Sequence, residues 1–271
     1  MMFSYQAHAK WILLGEHAVL RNHPAIVFPK KDTQLTVMFE ASSQPFQVSS
    51  DTNNVAIQNA LTRLVTTETQ KHRLTLPTGS LKLTNQIPIG KGFGFSAALS
   101  ICIAQFLSYL GAKSPIFDLA KSIEDHFHGK SSGLDIAGCL HDQPILYQNQ
   151  NSSPIALTSP PHIELTDTGP GELSSICIAK VQDLFETNPT IAEAIDQQMK
   201  EAVIMARDAL NQNDINRLAD AMQQACDCFD RWGLINDRTK ALMQAKKKEG
   251  ALASKPSGAG LGGLLISLMN E

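Results

Sequence analysis

Neither sign of charge dominates this sequence: 23 lysines and arginines face 26 aspartates and glutamates, for a net charge of −3. A chain so balanced has no electrostatic footprint for a nucleic acid or an anionic membrane surface. The one basic run, Lys246-Lys247-Lys248, reads as the solvated end of a helix, where cations complement the dipole. No apolar stretch approaches the roughly 20 residues that span a bilayer. The first residues lack the charged region, apolar region and small-residue cleavage site of a secretory signal. These absences together predict a soluble, cytoplasmic protein whose partners include neither nucleic acid nor membrane. Cysteines number only five (Cys102, Cys139, Cys177, Cys226 and Cys228), an odd and scattered set that fits a reducing compartment and no disulfide frame. Cys226-x-Cys228 and His126-x-His128 each lack the second pair that a closed zinc site requires, so they read as buried thiols and surface histidines. Repeats and low-complexity tracts are absent too.

What is present is apolar mass: 43% hydrophobic residues in 271, enough for one large core or two of ordinary size. Residues 3–14 alternate and then run apolar, predicting strands with Lys10 between them; Gly15 to Leu20 is a turn or short helix, and Asn22-His23-Pro24 a further turn. Gln34–Phe39 alternates like a half-buried strand. Asp51 or Thr52 caps a predicted helix to about Thr67, and Leu74–Leu76 and Leu81–Thr84 read as strands. A helix to about Leu110 is closed by Gly111, and another opens at Ser114-Pro115 and runs to about Phe127. The segment from Tyr147 to Gly171 is the most broken, so two domains are expected, residues 1–160 and 161–271. The second begins with a strand at Ile176–Ala179, followed by three helices opened by Asn188-Pro189, Asp214 and Asp237.

Two glycine loops punctuate this pattern. In Pro88-Ile89-Gly90-Lys91-Gly92-Phe93-Gly94-Phe95-Ser96-Ala97-Ala98, three glycines at every second position feed an apolar helix. Glycines allow positive φ and let backbone N–H groups approach a ligand closely, and the helix start adds unpaired N–H groups. Such a loop suits a phosphate; it also suits a plain turn into a helix. The second loop, Gly258-Ala259-Gly260-Leu261-Gly262-Gly263, fits the spacing of a dinucleotide-binding loop. Only eight residues follow it, too few for the strand and acidic residue which that fold requires. Neither loop is a Walker loop. One in each half suggests a nucleotide held by both. Phosphoryl transfer needs a positioned phosphate, Mg²⁺ and a group that orients or deprotonates the attacking hydroxyl. Ser96 and Glu124 are hard oxygen donors for Mg²⁺, Asp135 is a proton acceptor, and Lys10 is a charge for a developing alkoxide. Singly, each has a plainer role: Ser96 as a helix cap, Glu124 on a solvated helix face, Asp135 as a turn or cap.

Taken in order, the segments resemble the motifs of the GHMP kinase superfamily, and within it most closely the mevalonate kinases. Ala7-His8-Ala9-Lys10 through Gly15-Glu16-His17-Ala18-Val19 to Pro24-Ala25-Ile26 is similar to the first motif. Pro88–Ala98 is similar to the second, and Lys255-Pro256-Ser257-Gly258-Ala259-Gly260 to the third. His128-Gly129-Lys130-Ser131-Ser132-Gly133-Leu134-Asp135 matches an intervening element. The resemblance implies an α+β fold of two domains, the first like the second domain of ribosomal protein S5 and the second ferredoxin-like. It implies Asp135 and Lys10 as catalytic, Ser96 and Glu124 as ligands of Mg²⁺, and the stretch Pro88–Ala98 with Gly258, Ala259 and Gly260 as the ATP site. It places Lys10, Glu16, His17, Ser132 and Asp135 at the acceptor, with Thr190 as the candidate from the second domain. The implied reaction is ATP-dependent phosphorylation of mevalonate. Phosphomevalonate or another alcohol of the superfamily is the alternative acceptor, and a nucleotide-binding homologue without catalysis is the alternative from another class. The departures are Phe95 for the first loop serine, Phe93 for leucine, His8-Ala9 for Pro-Gly, and Ser131 for proline. The chain also stops soon after the third motif, from which a sheet edge left open to a second subunit is expected.

Overall fold

The computed structural model describes residues 2–51, 55–129 and 131–270. Their contacts group the chain into two compact units, each drawn from separate stretches of the sequence. One comprises Met1–Ala9, Lys30–Pro88 and Gly94–Leu140, the other Lys10–Pro29, Ile89–Phe93 and His141–Glu271. A single cut at residue 160 follows the order of the chain; the units do not, because two long strands, β1 (Met2–Leu14) and β2 (Ala25–Ala41), each run through both.

In the first unit, the later part of β2 pairs antiparallel with β4 (Gly79–Asn85), Leu35 opposite Asn85 and Ala41 opposite Gly79. Strand β3 (Gln47–Ser50) adds parallel to β4, with Val48 beside Leu81. Alternation decides which face is covered: Leu35, Val37, Phe39, Leu81 and Leu83 are buried, while Thr36 and Met38 between them are half-buried. Four helices complete the unit: α1 (Val55–Lys71), α2 (Phe95–Tyr109), α3 (Ile116–His128) and α4 (Leu134–Leu140). Helix α2 is apolar nearly all round and buried from Ala97 to Ala104, so it is the central element on which α3 and α4 both pack. Phe3, Phe39, Phe46, Phe106 and Tyr109 form an aromatic cluster with ring centroids 5.0 to 6.4 Å apart.

The second unit holds β5 (Ile145–Gln148), β6 (Asn151–Pro154), β7 (Ile163–Gly169), α5 (Ser174–Thr187), α6 (Pro189–Gln212), α7 (Ile215–Arg231), α8 (Asp237–Lys248), β8 (Ala251–Ser257) and β9 (Gly263–Met269). Strands β7, β9 and β8 form an antiparallel sheet with β9 in the middle and wholly buried. Its core joins Leu264, Ile266 and Leu268 to Met199, Val203, Met222 and Phe229 of α6 and α7, and to Leu13 and Leu14 of β1. Caps set the helix starts: the Asn188, Asp214 and Asn236 side chains accept from the N–H groups of Ile191, Arg217 and Thr239. No helix among the described residues is long and apolar enough to cross a membrane.

Several expected elements differ. Leu74–Leu76 is irregular: α1 ends at Lys71, Arg73 follows in a turn at φ 54°, and the Leu74 N–H turns back to Thr69 O. Ile176–Ala179 lies inside α5; a four-residue apolar run does not distinguish strand from helix by period. Asn236, not Asp237, caps α8, and Pro115 precedes α3 instead of opening it. The broken segment carries β5, β6 and β7. The closing apolar stretch is the central strand β9, so the edges of its sheet are β7 and β8. Of the two caps proposed for α1, Thr52 lies outside the described residues.

Candidate active site

The second unit brings parts of three motifs together. Lys10, on β1, is 1% exposed; its backbone N–H donates to Phe93 O at 3.0 Å and its ammonium to Gly92 O at 3.2 Å. The lysine therefore holds the far end of the first glycine loop. Two residues on, the hydroxyl of Ser257 accepts from Ile12 N–H at 3.1 Å and donates to Ile12 O at 2.7 Å, standing in for a strand partner at the end of β8. A Cβ on Gly92 would meet Ser257 O at 3.3 Å, so the first glycine loop runs close to the end of β8. Gly90 is different: a Cβ there would meet nothing within 4 Å. Lys91 pairs with Asp167 at 3.0 Å.

After β1 the chain turns through Gly15, Glu16 and His17 into a short 3₁₀ turn (Ala18–Arg21). His17 has φ 58° and ψ −52°, a backbone conformation rare outside glycine, and it is 6% exposed. Its Nε2 lies 2.8 Å from Ala259 O; a carbonyl only accepts, so Nε2 carries the hydrogen. Burial lowers the His17 pKa to about 4, which leaves the ring neutral and its Nδ1 an acceptor without a partner among the described residues. Glu16 is buried against Lys255, Oε1 to Nζ 2.7 Å.

The second glycine loop lies largely in the left-handed region of the backbone map. Gly258, Gly260, Leu261, Gly262 and Gly263 all have positive φ. Three successive carbonyls are taken by donors from elsewhere: Ala259 O by His17 Nε2, Gly260 O by the Cys177 thiol at 3.6 Å, and Leu261 O by Glu172 N–H at 3.4 Å. Leu261 N–H donates to Leu234 O. Among the described residues no acceptor meets the N–H groups of Ala259, Gly260 or Gly262. Carbonyls turned inward and amides left open describe a surface that takes negative oxygen.

The first unit carries Ser96, Glu124 and Asp135 on three mutually packed helices. Gly94, at φ 78°, caps α2 and has no side chain that could accept from the first turn of the helix. Ser96 is thus inside the first turn and is not the cap. Glu124 of α3 is 2% exposed, which excludes a solvated helix face. Asp135 lies in the first turn of α4. Ser132 accepts from Leu134 N–H at 3.2 Å, and the Cys139 thiol reaches Gly94 O at 3.9 Å, tying α4 to the head of α2. Thr190 sits exposed in the first turn of α6. Sequence reasoning assigned no role to Lys255 or Ser257, although both stand in the third motif; their partners lie 239 and 245 residues away.

Family models match both halves. The N-terminal domain of the GHMP kinases matches residues 57–143, and the C-terminal domain of the same family matches residues 206–271. Together the two cover more than half of the chain, one on each side of residue 160. The chain belongs to the GHMP kinase family. This GHMP kinase is 28% identical over 307 residues to a mevalonate kinase of Thermococcus onnurineus, covering 98% of the chain and 88% of that protein. A mevalonate kinase of Pyrococcus furiosus is 26% identical, covering 97% and 87%. The fold of this chain matches the crystal structure of L. major mevalonate kinase in complex with R-mevalonate, with a TM-score of 0.83 over 99% of this chain and 87% of that one, at 22% identity.

Proposed function

We propose that this GHMP kinase transfers the γ-phosphoryl group of ATP to the hydroxyl of mevalonate, giving 5-phosphomevalonate and ADP. The reading is carried by the site built around Lys10. A buried ammonium is fixed on a rigid strand and bonded to the first glycine loop, beside a second loop that offers open N–H groups. Relatives at 25% to 28% identity that carry the name mevalonate kinase favour this acceptor.

In this reading the two glycine loops hold the triphosphate by backbone N–H groups, and Lys10 lowers the energy of the developing alkoxide. Asp135 takes the hydroxyl proton, and neutral His17 orients the acceptor through its bare Nδ1. Ser96 and Glu124 supply hydroxyl and carboxylate oxygens, the hard donors that fit Mg²⁺. Among the described residues no group of three or more His, Cys, Asp or Glu side chains could hold a metal. Magnesium, if held by Ser96 and Glu124, would share those donors with phosphate oxygens of the nucleotide and would neutralise charge on them. The test is ADP release, coupled to a spectrophotometric readout, with mevalonate, phosphomevalonate, homoserine and galactose as acceptors. Release with mevalonate is expected to exceed the others. A preference for phosphomevalonate reassigns the acceptor, and no release with any of them removes the kinase reading in favour of a nucleotide-binding homologue.

A further inference from the structure

The lysine that opens the third motif invites reading as a phosphate contact, yet its ammonium has no path to one. Lys255 is 0% exposed. It donates to Glu16 Oε1 at 2.7 Å and to Pro256 O at 2.5 Å, and it lies 5.0 Å from the centre of the Phe229 ring. Every direction in which it could donate is spent inside the protein. Its carboxylate partner is equally enclosed. Burial pushes the Glu16 carboxyl above its ordinary range, and the Lys255 ammonium and the Gly258 N–H oppose that rise. Oε2 of Glu16 closes no hydrogen bond among the described residues.

A buried ion pair with an unsatisfied oxygen is a poor device for stability, because desolvating two charges offsets most of their attraction. Position explains it better. Glu16 stands between Gly15, at φ 104°, and His17, at φ 58°, while Lys255 is three residues ahead of Gly258. The next side chain from that turn, His17, holds Ala259 O. Ser257, between lysine and loop, is fixed on both polar groups of Ile12. The pair thus joins a strained turn to a loop in which four glycines and Leu261 all sit at positive φ.

We propose that Glu16 and Lys255 are positioning residues for nucleotide. As an internal strut they hold the 258–263 loop with its carbonyls inward and its N–H groups open to phosphate, acting through the loop and touching neither ATP nor acceptor. The proposal rests on the kinase reading for the identity of the ligand, but not for the state of the loop. It also removes Glu16 from contact with the acceptor.

The test compares the parent with Glu16→Gln, Lys255→Met and the double variant. Each single change strands one buried charge, and either protein is at risk of not folding; the double variant removes both charges and keeps the chain lengths, so it carries the test. Amide hydrogen exchange across 258–263 is expected to quicken in the double variant while exchange across β9 stays as in the parent. The KM for ATP should rise about tenfold to a hundredfold, the range for one lost charge-assisted contact, and more than the KM for the acceptor. Parent-like exchange in the loop, or an acceptor KM that rises more than that of ATP, overturns the proposal. If the parent itself releases no ADP, the kinase reading fails, while exchange in the loop still decides the strut.

Discussion

His17 shows how burial sets the chemistry of one side chain. Its folded pKa, lowered to about 4 by desolvation, lies below the ordinary imidazole value, so the unfolded chain binds the proton more tightly. Stability from this group is therefore full above the unfolded pKa of about 6.5 and is lost as pH falls towards 4, by about 3 kcal/mol at most. Urea unfolding of the parent and of His17→Gln between pH 4.5 and 7.5 should show a shallower pH dependence in the variant. Equal slopes would mean that the imidazole is not desolvated. Asp135→Asn should lower kcat by about 10² to 10⁴ while calorimetry still detects ATP binding; an unchanged kcat would take the base role from Asp135. Glu68 offers the converse case. Its carboxylate on α1 is fully buried with no hydrogen bond among the described residues, and Lys71, His72 and His126 stand 3.5 to 3.8 Å away. Contacts so long do not replace lost hydration, so Glu68→Met should raise stability in urea unfolding by about 1 kcal/mol or more. A loss of stability would show that the cluster is a net stabilising network. None of these environments is legible from residue type. The sequence presents a glutamate and a histidine, and only the packing of distant segments decides which is solvated.

Among elements, the glycine loops and capped helices were the most legible parts, because their signals are local. Positive φ at Gly90, Gly92 and Gly94, and the caps at Asn188 and Asp214, follow from a few neighbouring residues. Short apolar runs were not. Ile176–Ala179 joined a helix, because the pull of α5 packing outweighs a four-residue preference. The loops also differ in what an added methyl would meet. At Gly262 a Cβ would come within 2.7 Å of Gly171 Cα and 2.8 Å of Pro170 O, both backbone, whereas at Gly90 it meets open space. Gly262→Ala should therefore destabilise by several kcal/mol, and Gly90→Ala by only the cost of positive φ, about 1 kcal/mol. Chemical denaturation of the two variants checks the order, and equal losses would contradict the packing described around Gly262.

For the whole molecule, the order of the motifs was readable while the division into compact units was not. Long-range pairings such as Ile12 with Ser257, or Arg21 with Asp196 through two hydrogen bonds of 2.5 and 2.7 Å, leave no periodic trace in the chain. A ligand that binds only the folded protein stabilises it by mass action. Mg-ATP at 100 times its dissociation constant should therefore add about 2.7 kcal/mol and raise the melting midpoint by several degrees. No shift with ATP at millimolar concentration would deny the nucleotide site.

The five thiols give each compact unit its own chemical reporter. All are buried, with Cys102 and Cys139 in the first unit and Cys177, Cys226 and Cys228 in the second. Desolvation pushes Cys102 and Cys228 up to about 12 and Cys226 up to about 11, so little thiolate exists for an alkylating reagent to capture in the native state. A pulse of iodoacetamide then records opening events, and mass spectrometry of Cys102 against Cys228 tells whether the two units open together or in turn.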